Sequence, residues 1–176
     1  MAEKQTKKRS MRTAPDKPRL YTLDVFIISG PLTKSFVKKN KVISRTIQIR
    51  GDQTLQALHE AIFNAFDRED DHMYEFQVGG KGPMDRKARR YTLHPSDDDR
   101  KSEGGPAGDV HQTTIGALGL KVNDAFGYWF DFGDDWWHQI NVIAMEETAG
   151  RGKFPKVIKR VGQSPPQYVD WDDEEE

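Results

Sequence analysis

Cysteine is absent from the 176 residues, which excludes a disulfide framework, a thiolate nucleophile and a thiolate metal site. Charge of one sign is also missing: 27 Lys and Arg stand against 28 Asp and Glu, so no overall basic excess marks a nucleic-acid-coating protein. No apolar run approaches the length of a membrane span, and no apolar core of a signal peptide follows the basic N-terminal residues. The expectation is a cytoplasmic protein with no membrane partner.

Several chemical signatures are lacking as well. Gly79-Gly80-Lys81-Gly82 has neither the spacing of a phosphate-binding P-loop nor a Ser or Thr after the lysine. Asp131-Phe132-Gly133 matches the magnesium-binding triplet of protein kinases, but the catalytic-loop His-Arg-Asp and the Gly-rich nucleotide loop are absent. No serine lies in a nucleophile elbow. No cofactor is therefore expected.

What is present divides by charge. Residues 1–18 form a basic arm with Lys4, Lys7, Lys8, Arg9, Arg12 and Lys17, and residues 170–176 form an acidic tail. Neither has apolar periodicity, so both read as solvated ends without a core of their own. Between them, residues 19–169 carry enough Ile, Leu, Val and Phe for one domain.

Within that block residues 20–28 alternate, with Leu23, Val25 and Ile27 on one side, and predict a strand. Residues 34–41 are basic and loop-like. Residues 42–50 alternate Ile43, Ile47 and Ile49 with polar residues as a second, half-buried strand. Leu55, Leu58, Ala61, Ile62, Ala65 and Phe66 then recur at helical spacing, with Thr54 or Asp52 as the cap. A third strand is expected at 73–78. Residues 79–112 read as a long loop, relieved by a short strand at 90–93, with a helical turn at 114–118. Strands follow at 125–132, 136–145 and around 157–158. This order predicts an α+β domain, an antiparallel or mixed sheet packed on one main helix.

The chemistry-bearing stretch is the aromatic-acidic run from Tyr128 to His138. With an even-numbered turn Asp131 would lie opposite His138; with a three-residue turn Phe130 would take that place. Gly133-Asp134-Asp135 is the expected turn. Asp131, Asp134, His138 and His72 are the candidate catalytic residues, and His72, Asp134 and His138 the candidate metal ligands, because Asp and His supply hard or borderline donors and acid–base groups. Their spacing matches no metal signature. Arg86, Lys87, Arg89 and Arg90 are the candidate nucleic-acid contacts, with Trp and Tyr available for stacking.

Two blocks carry a family resemblance. Leu55 to Ile62 followed by Asp70-Asp71-His72-Met73-Tyr74-Glu75-Phe76, and then Phe126 through Asp131-Phe132-Gly133-Asp134 to Trp136 and His138, resemble the two halves of the plasmid pRiA4b ORF-3-like domain. The resemblance spans most of residues 20–168, leaving out the central loop. It implies a compact α+β fold in prokaryotic proteins, some of them named as TnpR-type passengers of insertion elements. The chain departs from the pattern at Val42-Ile43-Ser44-Arg45, where many relatives have Trp-Arg-Arg, and at Gln167-Tyr168, where many place acidic and Gly residues after two prolines. No activated Ser or Tyr of a recombinase can be assembled. The expected function is a non-enzymatic binding module with a protein or nucleic-acid partner, accessory to mobile DNA. The alternative is a small metal-assisted hydrolase or nuclease built on the hairpin.

Overall fold

The strand alternation read from residues 20–28 becomes β1 (Leu20–Ser29), a central strand of the computed structural model, which describes residues 17–171. The expected basic arm and acidic tail lie almost wholly outside those residues. The other strands are β2 (Ser44–Arg50), β3 (Tyr74–Val78), β4 (Arg89–Thr92), β5 (Gly108–Asp109), β6 (Ala125–Phe130), β7 (Trp136–Glu146) and β8 (Lys156–Val161). They form one mixed sheet in the order β5-β4-β3-β6-β7-β1-β2-β8. All neighbours run antiparallel except β4 and β5.

Three α-helices among the described residues accompany the sheet, α1 (Lys34–Lys39), α2 (Leu55–Ala65) and α3 (Asp97–Lys101), with a 3-10 turn at Gly116–Leu118. The main one is α2. Thr54 is its cap, the Oγ1 accepting from Ala57 N at 3.2 Å. Its stripe of Leu55, Leu58, His59, Ile62 and Ala65 is buried against Leu23, Val25, Ile47, Ile49, Phe76, Phe126 and Ile140 from the sheet. Burying each of the larger aliphatic side chains contributes about 2 kcal/mol.

Residues 34–41, read as a loop, contain α1, which has no fully buried residue and packs only Phe36 against the core, too little to set an apolar period. Residues 79–112, read as a long loop with a short strand at 90–93, hold that strand as β4 and add α3 and β5. The α3 start is set by a reciprocal cap between Ser96 and Asp99.

Arg45 is the unexpected member of the inner face. Alternation puts it beside Ile43 and Ile47, and it is 2% exposed. Its Nε donates to Ala65 O at 2.8 Å, Nη1 to Val161 O at 3.0 Å and Nη2 to Ser164 Oγ at 2.9 Å, with the guanidinium over Phe66. A cation thus closes the C-terminus of α2 and fixes the segment after β8. Its position coincides with one of the two family departures.

Candidate functional site

The hairpin register differs from both sequence expectations. Tyr128 pairs with His138, Phe130 with Trp136, and the connection is the five residues 131–135 rather than Gly133-Asp134-Asp135. The cause is backbone geometry. Asp131 and Asp135 adopt left-handed angles, φ 56° and 55°, so each ends its strand. Asp131 Oδ1 accepts from Gly133 N at 3.1 Å and Asp134 N at 3.2 Å, an Asx turn that holds the bend.

His138 points into the core and is wholly buried. Arg68 Nη2 lies 3.3 Å from its Nε2, and since arginine only donates, Nδ1 carries the proton and donates to Tyr128 O at 3.2 Å. Both ring nitrogens are engaged. Burial, followed by the neighbouring Arg68 charge, pushes the imidazole well below its ordinary pKa. Arg68 itself is sandwiched between Phe130 (4.7 Å) and Trp136 (4.2 Å), and burial brings its pKa down to about 10.

Two of the remaining candidates, His72 and Asp131, meet at the loop of residues 67–73, between α2 and β3. His72 Nε2 lies 3.4 Å from Asp131 Oδ2 and 3.0 Å from Tyr168 Oη, and Tyr168 Oη donates to Asp70 Oδ2 at 3.0 Å. Asp71 Oδ1 reaches His59 Nε2 at 3.1 Å, and His59 Nδ1 accepts from Tyr128 Oη at 2.7 Å. Gln167 locks this loop from the C-terminal segment. Its Oε1 accepts from Glu69 N (2.8 Å) and Asp70 N (3.0 Å), while Nε2 donates to Asp70 O (2.7 Å). The second family departure, Gln167-Tyr168, is therefore the very pair that fastens the loop.

Of the four candidate catalytic residues, then, Asp131 and His72 come together, Asp134 stands exposed in the turn, and His138 is sealed behind Arg68. The basic candidates also separate. Arg90 pairs with Glu75 at 3.3 Å and Arg89 reaches Leu118 O at 3.4 Å, because alternate residues of β4 point to opposite faces. Arg86 and Lys87 are exposed in the preceding loop.

Sequence reasoning missed His59, a buried helix residue, and the trio His94, Asp109 and His111, whose ligand atoms lie within 4.8 Å of one another. Only the pairing of β4 with β5, inside the stretch read as a loop, brings His94 to the other two.

The face of the sheet turned away from α2 is polar and aromatic. Trp129 and Trp137 stack as a cross-strand pair at 4.8 Å and 6°, with Phe132 at 4.1 Å from Trp129. Register places Gln77, Gln139, Asn141, Asp24, Thr46 and Gln48 on the same face, and Lys156 and Lys159 at its β8 edge. Beside the Trp pair a concavity of about 490 Å³ is lined by Phe26, Ile28, Val37, Val42, Gln139 and Asn141 among others. Gln139 Nε2 donates to Asn141 Oδ1 at 2.9 Å.

These features define a class of protein: a single α+β domain on an eight-stranded mixed sheet, with one polar-aromatic face and a histidine–carboxylate junction at the end of its main helix. The family model of the plasmid pRiA4b ORF-3-like protein matches residues 34–171, and the chain belongs to that family. Among solved structures it is similar to a protein of unknown function from Methanosarcina mazei Go1, with TM-score 0.60 and 21% identity over 82% of this chain and 70% of that one. At that identity the likeness speaks to the fold. No functionally curated protein matches the chain. No helix among the described residues is long and apolar enough to cross a membrane.

Proposed function

We propose that this protein is a non-enzymatic binding module, accessory to mobile DNA, that takes a single nucleic-acid strand across the sheet face opposite α2. The observation that carries this reading is the Trp129–Trp137 stack on that face, next to a groove floored by Phe26 and the Gln139–Asn141 amide pair. Aromatic side chains on an open sheet stack bases, and amides present both donors and acceptors to base edges. Lys156 and Lys159 supply phosphate-neutralising charge at one edge of the face. A hydrolytic reading through Asp131, Asp134, His138 and His72 has less support, since His138 has both nitrogens occupied within the core.

The test is fluorescence anisotropy of labelled single-stranded and duplex oligonucleotides with the full chain at rising salt. Saturable single-strand binding that weakens with salt is expected. Trp129→Ala with Trp137→Ala should weaken it roughly tenfold or more, because each base stack is worth about 1–3 kcal/mol. Binding that ignores both substitutions, a preference for duplex, or no binding at low salt would overturn the proposal. A protein partner would then be the reading to pursue.

A further inference from the structure

We infer that His94, Asp109 and His111 form a binding site for a divalent transition metal of the zinc type, with an open coordination position. The inference is independent of strand binding, resting on other residues.

The site follows from strand register. Parallel pairing sets Thr92 beside Asp109, and Val110 N donates to Thr92 O at 3.0 Å. His94 and His111 each lie two residues beyond that paired step, so the two imidazoles leave neighbouring strand ends side by side. Their rings are parallel within 12° at 4.3 Å. Both aim Nδ1 at the same carboxylate: His94 Nδ1 is 3.6 Å from Asp109 Oδ2, and His111 Nδ1 is 3.0 Å from Asp109 Oδ1. A tetrahedral ion with bonds of about 2.0–2.2 Å keeps its ligand atoms roughly 3.4 Å apart, close to the two carboxylate–imidazole separations, and all three ligand atoms lie within 4.8 Å of one another.

Three further observations favour a cation there. Asp109 is only 7% exposed, yet its ion-pair partners among the described residues are these two histidines, with no lysine or arginine. Buried carboxylates ordinarily have a permanent cationic partner or a metal. The carboxylate is also held from behind, with Oδ1 accepting from His111 N at 2.8 Å, the kind of support that orients metal-ligating carboxylates. Finally, His94 takes a left-handed backbone, φ 40°, in a non-glycine residue. Such strained residues cluster at ligand sites.

The ligand chemistry selects the ion. Two imidazoles and one carboxylate suit zinc, cobalt or nickel, whereas calcium and magnesium prefer oxygen alone. Three protein ligands leave a fourth position open for water or another small ligand. The His94 side chain is 76% exposed and also lines a groove of about 410 Å³ with Met73, Pro95, Glu103 and Phe132, so the site is reachable from solvent.

The test is titration of the untagged full chain with zinc chloride, read by isothermal calorimetry, together with cobalt(II) absorption spectra. The expected result is about one zinc per chain, with magnesium failing to compete, and a cobalt spectrum of low-coordinate nitrogen–oxygen character. His94→Ala should weaken zinc at least about tenfold, the scale on which lost site residues act. Asp109→Asn removes the carboxylate charge but endangers the turn it holds, so the exposed His94 variant is the decisive one. Its circular dichroism should remain that of the parent. The inference is overturned if zinc shows no saturable binding, if magnesium competes equally, or if His94→Ala binds zinc as the parent chain does.

Discussion

Acid should unfold this protein through two histidines before its carboxylates titrate. His59 is the quantitative case. Its side chain is 5% exposed on α2, stacked on Tyr74 at 3.7 Å, with Tyr128 Oη, Asp71 and Arg68 as its polar neighbours. Burial lowers its pKa from 6.5 to about 4, against the opposing pull of Asp71. The folded state therefore holds His59 neutral where the unfolded chain would protonate it. Its contribution to stability is complete above about pH 6.5 and is lost as pH falls toward about 4, where the folded protein also takes the proton. Over that window the loss is about 3 kcal/mol, at about 1.4 kcal/mol per pH unit. His138 is lowered well below its ordinary value and acts in the same direction. Together they should give a slope of nearly two protons in the middle of the window. Urea unfolding of the full chain at steps from about pH 7.5 to about pH 4.5 measures it, with the linkage slope read from unfolding free energies. Stability that stays flat over that range, or a His59 ring that titrates near 6.5 by NMR, would refute the reasoning.

Two further outcomes follow from contacts described above. Gln167→Ala removes three hydrogen bonds to Glu69 and Asp70 and should cost about 1–3 kcal/mol, with amide exchange at those two residues rising more than in α2. Equal protection in parent and variant would show that the loop is held by other contacts. Gly30→Ala would set a methyl 2.8 Å from Cζ3 and 2.9 Å from Cδ2 of the wholly buried Trp136 ring, closer still to Cε3. It should destabilise by about 1–3 kcal/mol and broaden the near-ultraviolet tryptophan signal, whereas an unchanged melting curve would mean that the ring moves freely.

The sequence made most of the sheet readable because its strands have one buried face. Leu23, Val25 and Ile27, like Ile47 and Ile49, alternate with polar partners, and the structure buries all of them but Ile27, which packs half-buried on the core. The α2 stripe was legible for the same reason at a period of 3.6. What escaped was whatever fully buries no apolar side chain: α1, α3 and the two-residue β5. The hairpin strands were legible, but their register was not. It depends on left-handed Asp131 and Asp135, and a side chain without Cβ branching leaves that choice to local hydrogen bonds. The site residues failed to be readable for a different reason. His138 and Arg45 stand at core positions of their strands, where polarity alone suggests an exposed or functional role. The trio at His94 depends on a strand pairing across α3, which no local period reports.

The sheet order has a kinetic consequence. The first strand among the described residues, β1, lies between β2 and β7, and Leu20 pairs with Glu146 more than a hundred residues later. Half of its hydrogen-bonding edge must therefore wait until β7 has been synthesised, more than a hundred residues after β1. Contacts this distant in sequence slow folding, because loop-closure entropy is lost before they form. A nascent chain carrying β1 and β2 without β7 presents an unpaired strand edge with Leu23 and Val25 behind it, so ribosome-bound or truncated forms ending before Trp136 should be chaperone substrates rather than folded intermediates.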